Sequence, residues 1–98
     1  MSLPLIIRAE AETDIQAACD ELEGYQVGLG QRFVGRVREV FERIERTPEL
    51  HGFVWQDVRA TRVKRFRYVV YYVVFSNRIE VLAVLHGSRD PSVWQSRV

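Results

Sequence analysis

Residues 68–75 read YVVYYVVF, an uninterrupted run of β-branched and aromatic side chains. A strand sends successive side chains to opposite faces, so a strand built from this run is apolar on both sides and belongs inside a covered sheet. The run is far too short to span a bilayer, which takes about 20 residues as a helix. A chain of 98 residues cannot divide its apolar surface between two self-sufficient cores, so one domain over residues 1–98 must supply both covers. Apolar residues at 47% and charged residues at 28% are enough to fold such a domain and argue against a disordered tail.

The neighbours of this run supply the rest of a sheet. Val58 to Phe66 alternates loosely, and Ile79, Val81, Ala83 and Leu85 alternate with Glu80, Leu82, Val84 and His86, so both segments read as strands. Ser76 and Asn77, followed by Arg78, make a hairpin turn. Three strands in an antiparallel meander result. Leu3 to Ile7 is a further short strand, with Pro4 favouring an edge or strand-start position.

The first half keeps a helical period instead. Ala11, Ile15, Ala18, Cys19 and Leu22 form one stripe, opened by acids that suit the helix dipole. Gly24, Gly28 and Gly30 punctuate the connection to a second helix, in which Leu29, Phe33, Val37, Val40, Phe41 and Ile44 hold the period for four turns. Glu39 and Arg43 are an i,i+4 pair in the favourable order. Thr47 and Pro48 stop this helix, because proline cannot extend it. The two helices should form an antiparallel hairpin lying on the sheet. Asp90 and Pro91 read as an N-cap and first helical residue, so Pro91 to Arg97 should be a short helix carrying Val93 and Trp94 onto the sheet or out to a partner. The expected fold class is α+β: N-terminal strand, helical hairpin, three-stranded antiparallel meander and short C-terminal helix.

The net charge is only +1, but the charges are sorted. Every ionised side chain from Glu10 to Glu23 is acidic and every one from Arg59 to Arg67 is basic, which gives the molecule two poles for different partners or two solvated faces. Cys19 is the single cysteine; it cannot form an internal disulfide and reads as a small core residue. One cysteine and two distant histidines make no ligand cluster, and no glycine-rich loop follows a strand, so no metal and no cofactor is expected. No apolar leader with cationic flank opens the chain, so cytoplasmic residence without a membrane is expected.

His86, at the end of the last strand, is the candidate proton-transfer group, its alternative role being a bond to the adjacent loop. His51 and the carboxylate of Glu49 fall in the loop after Pro48. In a regular strand, Arg62 and Lys64 point to one side and Arg59 and Arg65 to the other.

Five stretches together resemble the RelE/ParE toxin superfamily, and its ParE branch in particular. They are Ala11 to Ile15; Gly30 to Ile44; Thr47 and Pro48; Val58 and Arg59 leading into Arg65, Phe66, Arg67 and Tyr68; and His86, Arg89, Pro91, Trp94 and Arg97. The resemblance implies the toxin of a type II toxin–antitoxin module, of the kind tied to plasmid stabilization and growth inhibition. Such a toxin is held silent in a hetero-oligomer by the flexible C-terminal segment of a cognate antitoxin. ParE-type members are described as poisons of DNA gyrase, whereas RelE-type members cut mRNA on the ribosome. By resemblance, Arg89, Trp94 and Arg97 would contact the target, with Arg59, Arg62 and Arg65 contributing, and no residue need be catalytic. If the chain were instead an endoribonuclease, His86 with Arg62, Arg65 and Arg89 would carry the chemistry, since metal-free RNA cleavage needs proton transfer and cations around the phosphorane. The chain departs from the nuclease branch. Those toxins end on tyrosine or histidine–tyrosine just beyond the last strand, whereas Gly87 follows His86 here, and Tyr68, Tyr71 and Tyr72 lie within a strand as packing residues. A third reading is a non-toxic binding module with the same fold.

Overall fold

The two apolar stripes of the first half fold back on each other as α1 (Ala9–Tyr25) and α2 (Leu29–Arg46), joined by a three-residue turn. The structure, a computed structural model, describes residues 3–98. Gly28 enters α2 at φ 89° and has no side chain to cap the helix, so the open N–H groups are met from α1. Glu23 accepts the Gly28 N–H at 2.8 Å and the Gly30 N–H at 3.0 Å through its two carboxylate oxygens, as a helix start requires. Gly30 lets the helices touch, because a Cβ there would stand 2.7 Å from the Cys19 carbonyl oxygen. Thr47 closes α2 by donating its N–H to the Arg43 carbonyl, where the Thr–Pro step predicted a stop.

The hairpin covers one face of a five-stranded sheet ordered β1 (Leu5–Ile7), β5 (Ile79–His86), β4 (Tyr68–Val74), β3 (Val58–Arg62), β2 (Phe53–Trp55). The expected meander is present as β3, β4 and β5, but it is the middle of a larger mixed sheet. β1 runs parallel to β5, and β2 adds an unanticipated fifth strand antiparallel to β3. Three residues are too few to show a period, which is why β2 left no signal in the sequence. β3 also stops at Arg62 rather than Phe66. There the chain closes a turn in which the Val63 N–H donates to the Tyr68 carbonyl and Arg65 adopts a left-handed φ of 69°.

β4 is covered on both sides, as its composition requires. Val70 and Tyr72 pack with Phe33, Val37, Val40 and Ile44 of the hairpin, whereas Tyr71 and Val73 pack with Trp94 on the other face. The terminal helix α3 (Ser92–Gln95) is shorter than the expected Pro91–Arg97. Asp90 accepts the Ser92 N–H at 2.9 Å, and this bond holds its carboxyl below the ordinary range.

A bulge breaks the alternation read from β5. Tyr72 pairs with Val81 and Tyr71 with Ala83, which leaves Leu82 as the extra residue. Beyond it the faces exchange: Val84 joins Ile79 and Val81 on the hairpin side, while Leu82, Ala83 and Leu85 join Trp94. Bulges re-aim side chains in this way, and the residue re-aimed at the strand's end is His86.

Candidate functional site

Three segments meet at one end of the sheet: the end of β3, the turn into β4, and the loop leaving β5. The register sets Arg62 against Val69 and Tyr68 against His86. The Gly87 N–H ties the outgoing loop to the Arg67 carbonyl at 2.7 Å. Between these segments lies an open cleft of about 510 Å³ walled by Arg62, Phe66, Arg67, Tyr68 and His86, with Val69, Gly87 and Ser88 completing it. No aspartate or glutamate lines it. Arg62, Lys64, Arg65, Arg67 and Arg89 are all exposed in or around this end of the molecule, so the local field favours an anion.

The two rings at the centre are held by their neighbours. Tyr68 stands edge-on to His86, centroids 5.5 Å apart, and tilts against Phe33 at 4.9 Å. Burial first, then the Glu21 carboxylate, pushes the Tyr68 phenol above its ordinary value, so it is a proton donor and not a base near neutral pH. His86 Nδ1 accepts the Ser88 backbone N–H at 3.1 Å and lies 2.7 Å from the Ser88 hydroxyl. Accepting at Nδ1 puts the proton of the neutral ring on Nε2, the nitrogen left for a ligand. The expected loop bond of His86 and its place in a cleft therefore coexist.

Glu21 of α1 lines two smaller depressions beside the cleft, one shared with Arg89 and the other with Arg65 and Arg67. Sequence reasoning missed Glu21, Arg67 and Tyr68 as site residues. Tyr68 lies in a strand whose other tyrosines, Tyr71 and Tyr72, are buried, and nothing local separates it from them except its position at the strand's start. Glu21 lies at a helical position whose distance from β4 depends on hairpin packing.

Of the expected contact residues, Arg62 lines the cleft, and Arg65 and Arg89 line the depressions beside it. Three others do not. Arg59 donates to the carbonyls of Glu49 and His51, at 3.1 and 2.6 Å, and stacks on Phe53 at 3.9 Å, so it organises the 47–52 loop. Trp94 is only 5% exposed; it stacks on Tyr71 at 4.5 Å and meets Trp55 edge-on at 6.0 Å. Arg97 is committed to an ion pair with Asp14. Of the two placements expected for Trp94, the indole takes the one on the sheet, whose second face is apolar, and an open strand edge takes the Arg97 guanidinium. Glu49 and His51 stand outside the cleft. His51 is partly exposed, but its Nε2 is buried with no partner among the described residues, and desolvation followed by Arg43 and Arg59 lowers its pKa. Among the described residues no group of three His, Cys, Asp or Glu could hold a metal ion, and no helix is long and apolar enough to cross a membrane.

The hairpin-on-sheet fold is shared with solved structures. A chain of the chromosomal ParDE TA system from P. aeruginosa superposes with a TM-score of 0.78 at 15% identity, over 87% of this chain and 96% of that one. The YoeB dimer from Staphylococcus aureus gives 0.61 at 15% identity, over 87% and 97%. At this identity the likeness defines the class of fold. No curated protein matches the sequence significantly. The family model described as the ParE toxin of the type II toxin–antitoxin system parDE matches residues 5–91, and the chain belongs to that family.

Proposed function

We propose that this chain is the growth-inhibiting component of a cytoplasmic toxin–antitoxin module, that its target is DNA gyrase, and that it works by binding rather than by catalysis. The observation that carries the reading is the basic, carboxylate-free cleft between Arg62, Arg67 and His86. A poison need only favour a conformation in which DNA is cut and not resealed, and exposed binding groups suffice for that. Purified protein incubated with gyrase and supercoiled plasmid should accumulate cleaved DNA, and Arg62→Ala with Arg67→Ala should abolish the effect. Intact DNA at concentrations that stop growth would overturn the assignment.

A second reading, ribosome-dependent mRNA cleavage, draws on the juxtaposition of His86, Tyr68 and two guanidiniums in one cleft. It requires degraded transcripts in expressing cells and their rescue by His86→Ala in a folded chain. A third, a harmless binding module, requires that expression without an antitoxin leave growth unaffected.

For the antitoxin, the fitting surface is the groove of about 440 Å³ where Ile7, Ile15, Val34, Val37 and Phe41 meet, beside the outer edge of β1. An amphipathic helix could lay its apolar face there and an extended segment could add to the edge. An acidic partner would also suit the basic turn, in which case affinity falls as salt rises; an affinity flat across a wide salt range would remove the acidic component.

A further inference from the structure

The cleft beside His86 continues past β4. On the sheet face opposite the hairpin a second depression of about 420 Å³ is floored by Ala60, Val69, Tyr71 and Trp94. It shares Arg62, Val69 and Gly87 with the first, so the two form one trough running from His86 between Arg62 and Gly87 to Arg89. No carboxylate lines either half. Its fixed cations are the guanidiniums of Arg62, Arg67 and Arg89, a type of group that matches phosphate oxygens two at a time.

The trough crosses strands that are already paired. β3 bonds to β4 and β4 to β5 beneath the trough, and only the outer edge of β3 beyond Arg59 has no partner strand, so a main-chain ladder could hold an extended peptide at one rim but not across the floor. A phosphodiester needs no ladder. It needs spaced cations and an apolar floor against which sugars and bases can lie. An apolar floor takes up bases whose faces are free, as they are in a single strand and not in a stacked duplex.

We propose that this trough holds a single strand of DNA, with its phosphates on Arg62, Arg67 and Arg89 and its apolar edge over Val69 and Tyr71. The proposal rests on the gyrase reading and deepens it: the toxin grips DNA that gyrase has opened, in addition to any contact with the enzyme.

The test is fluorescence anisotropy of the purified chain with a short fluorescein-labelled oligothymidylate. Binding should weaken with salt at a log–log slope of about −2, the value for three phosphates on a single strand, and Arg62→Ala, Arg67→Ala and Arg89→Ala should each weaken it several-fold and flatten the slope by about 0.7. Far-UV circular dichroism should show all three folded, since these side chains are exposed. Arg46→Ala, at the end of α2, should change nothing. Absent binding at low salt, an affinity insensitive to the three substitutions, equal competition by polyglutamate, or tighter binding of oligouridylate would each overturn the proposal. The two ideas fail separately: a chain that poisons gyrase without binding the oligonucleotide removes only the trough, and one that binds it without poisoning gyrase removes only the target.

Discussion

Asp14 and Arg97 lie 83 positions apart in sequence and meet in a two-point ion pair, Nη1 to Oδ2 at 2.6 Å and Nη2 to Oδ1 at 3.2 Å. The pair stands where β1 runs out. β1 covers β5 only as far as Val81, and beyond it the Val84 N–H donates to Asp14 at 3.1 Å while the Leu82 carbonyl accepts from Arg97 at 3.0 Å. Two side chains thus satisfy an edge that would otherwise be open to another strand. Arg8 adds a bond to the Arg97 carbonyl, which fastens the C-terminus to the start of α1.

Both partners are largely shielded, with Asp14 10% and Arg97 17% exposed, so removing either strands a charge and an edge group together. Asp14→Ala or Arg97→Ala should each cost about 2–4 kcal/mol. Urea unfolding of both singles and the double variant measures the coupling, and the double should cost well under the sum. Strict additivity would mean that the pair is not a unit.

Trp94 separates packing from target contact. Trp94→Ala should cost about 3–5 kcal/mol, the range for a large buried aromatic, and Trp94→Phe should recover part of it by keeping the stack on Tyr71. Thermal unfolding reads this directly. A stable Trp94→Ala chain that has lost only toxicity would show that the indole serves a partner instead.

Glu80 sets an acid limb. Hydrogen bonds from Arg8, then from Arg78, lower its pKa below the ordinary 4.5. The folded chain therefore holds that proton less tightly than the unfolded chain. Its contribution is complete above the unfolded value and drains as pH falls through the lower folded value. Glu80→Gln should be less stable than the parent at pH 7 and should converge with it at the acid end. Parallel stability curves for the two chains would contradict the assignment.

Arg65 stores backbone strain in the basic turn, with φ at 69°. A non-glycine residue there costs about 1–3 kcal/mol, so Arg65→Gly should leave the melting temperature unchanged or raise it. The same change removes a cation from the rim and should lower toxicity. Measuring melting temperature and growth arrest on one variant checks both; a destabilised Arg65→Gly chain would show that the strain is offset by contacts of the side chain.

The long elements were legible because their signals are periodic. The stripes of Ala11–Leu22 and Leu29–Ile44 and the doubly apolar Tyr68–Phe75 demand a hairpin on a covered sheet. Arg62 and His86 were legible as neighbours, since they fall at strand ends that a meander brings together, with Arg65 in the turn after one and Arg89 in the loop after the other. β2 and the parallel docking of β1 were not, being three residues each, with pairing decided by which edges remain free.

The sequence by itself determined the layer architecture and the basic pole, because burial and charge are properties that each residue carries wherever the chain goes. Tertiary structure decided the rest: that a bulge at Leu82 turns His86 toward Tyr68, that Trp94 faces inward, and that Arg97 closes an edge with Asp14. Those outcomes depend on a register shift and on contacts across most of the chain, and no local pattern encodes where two distant backbones will come to rest.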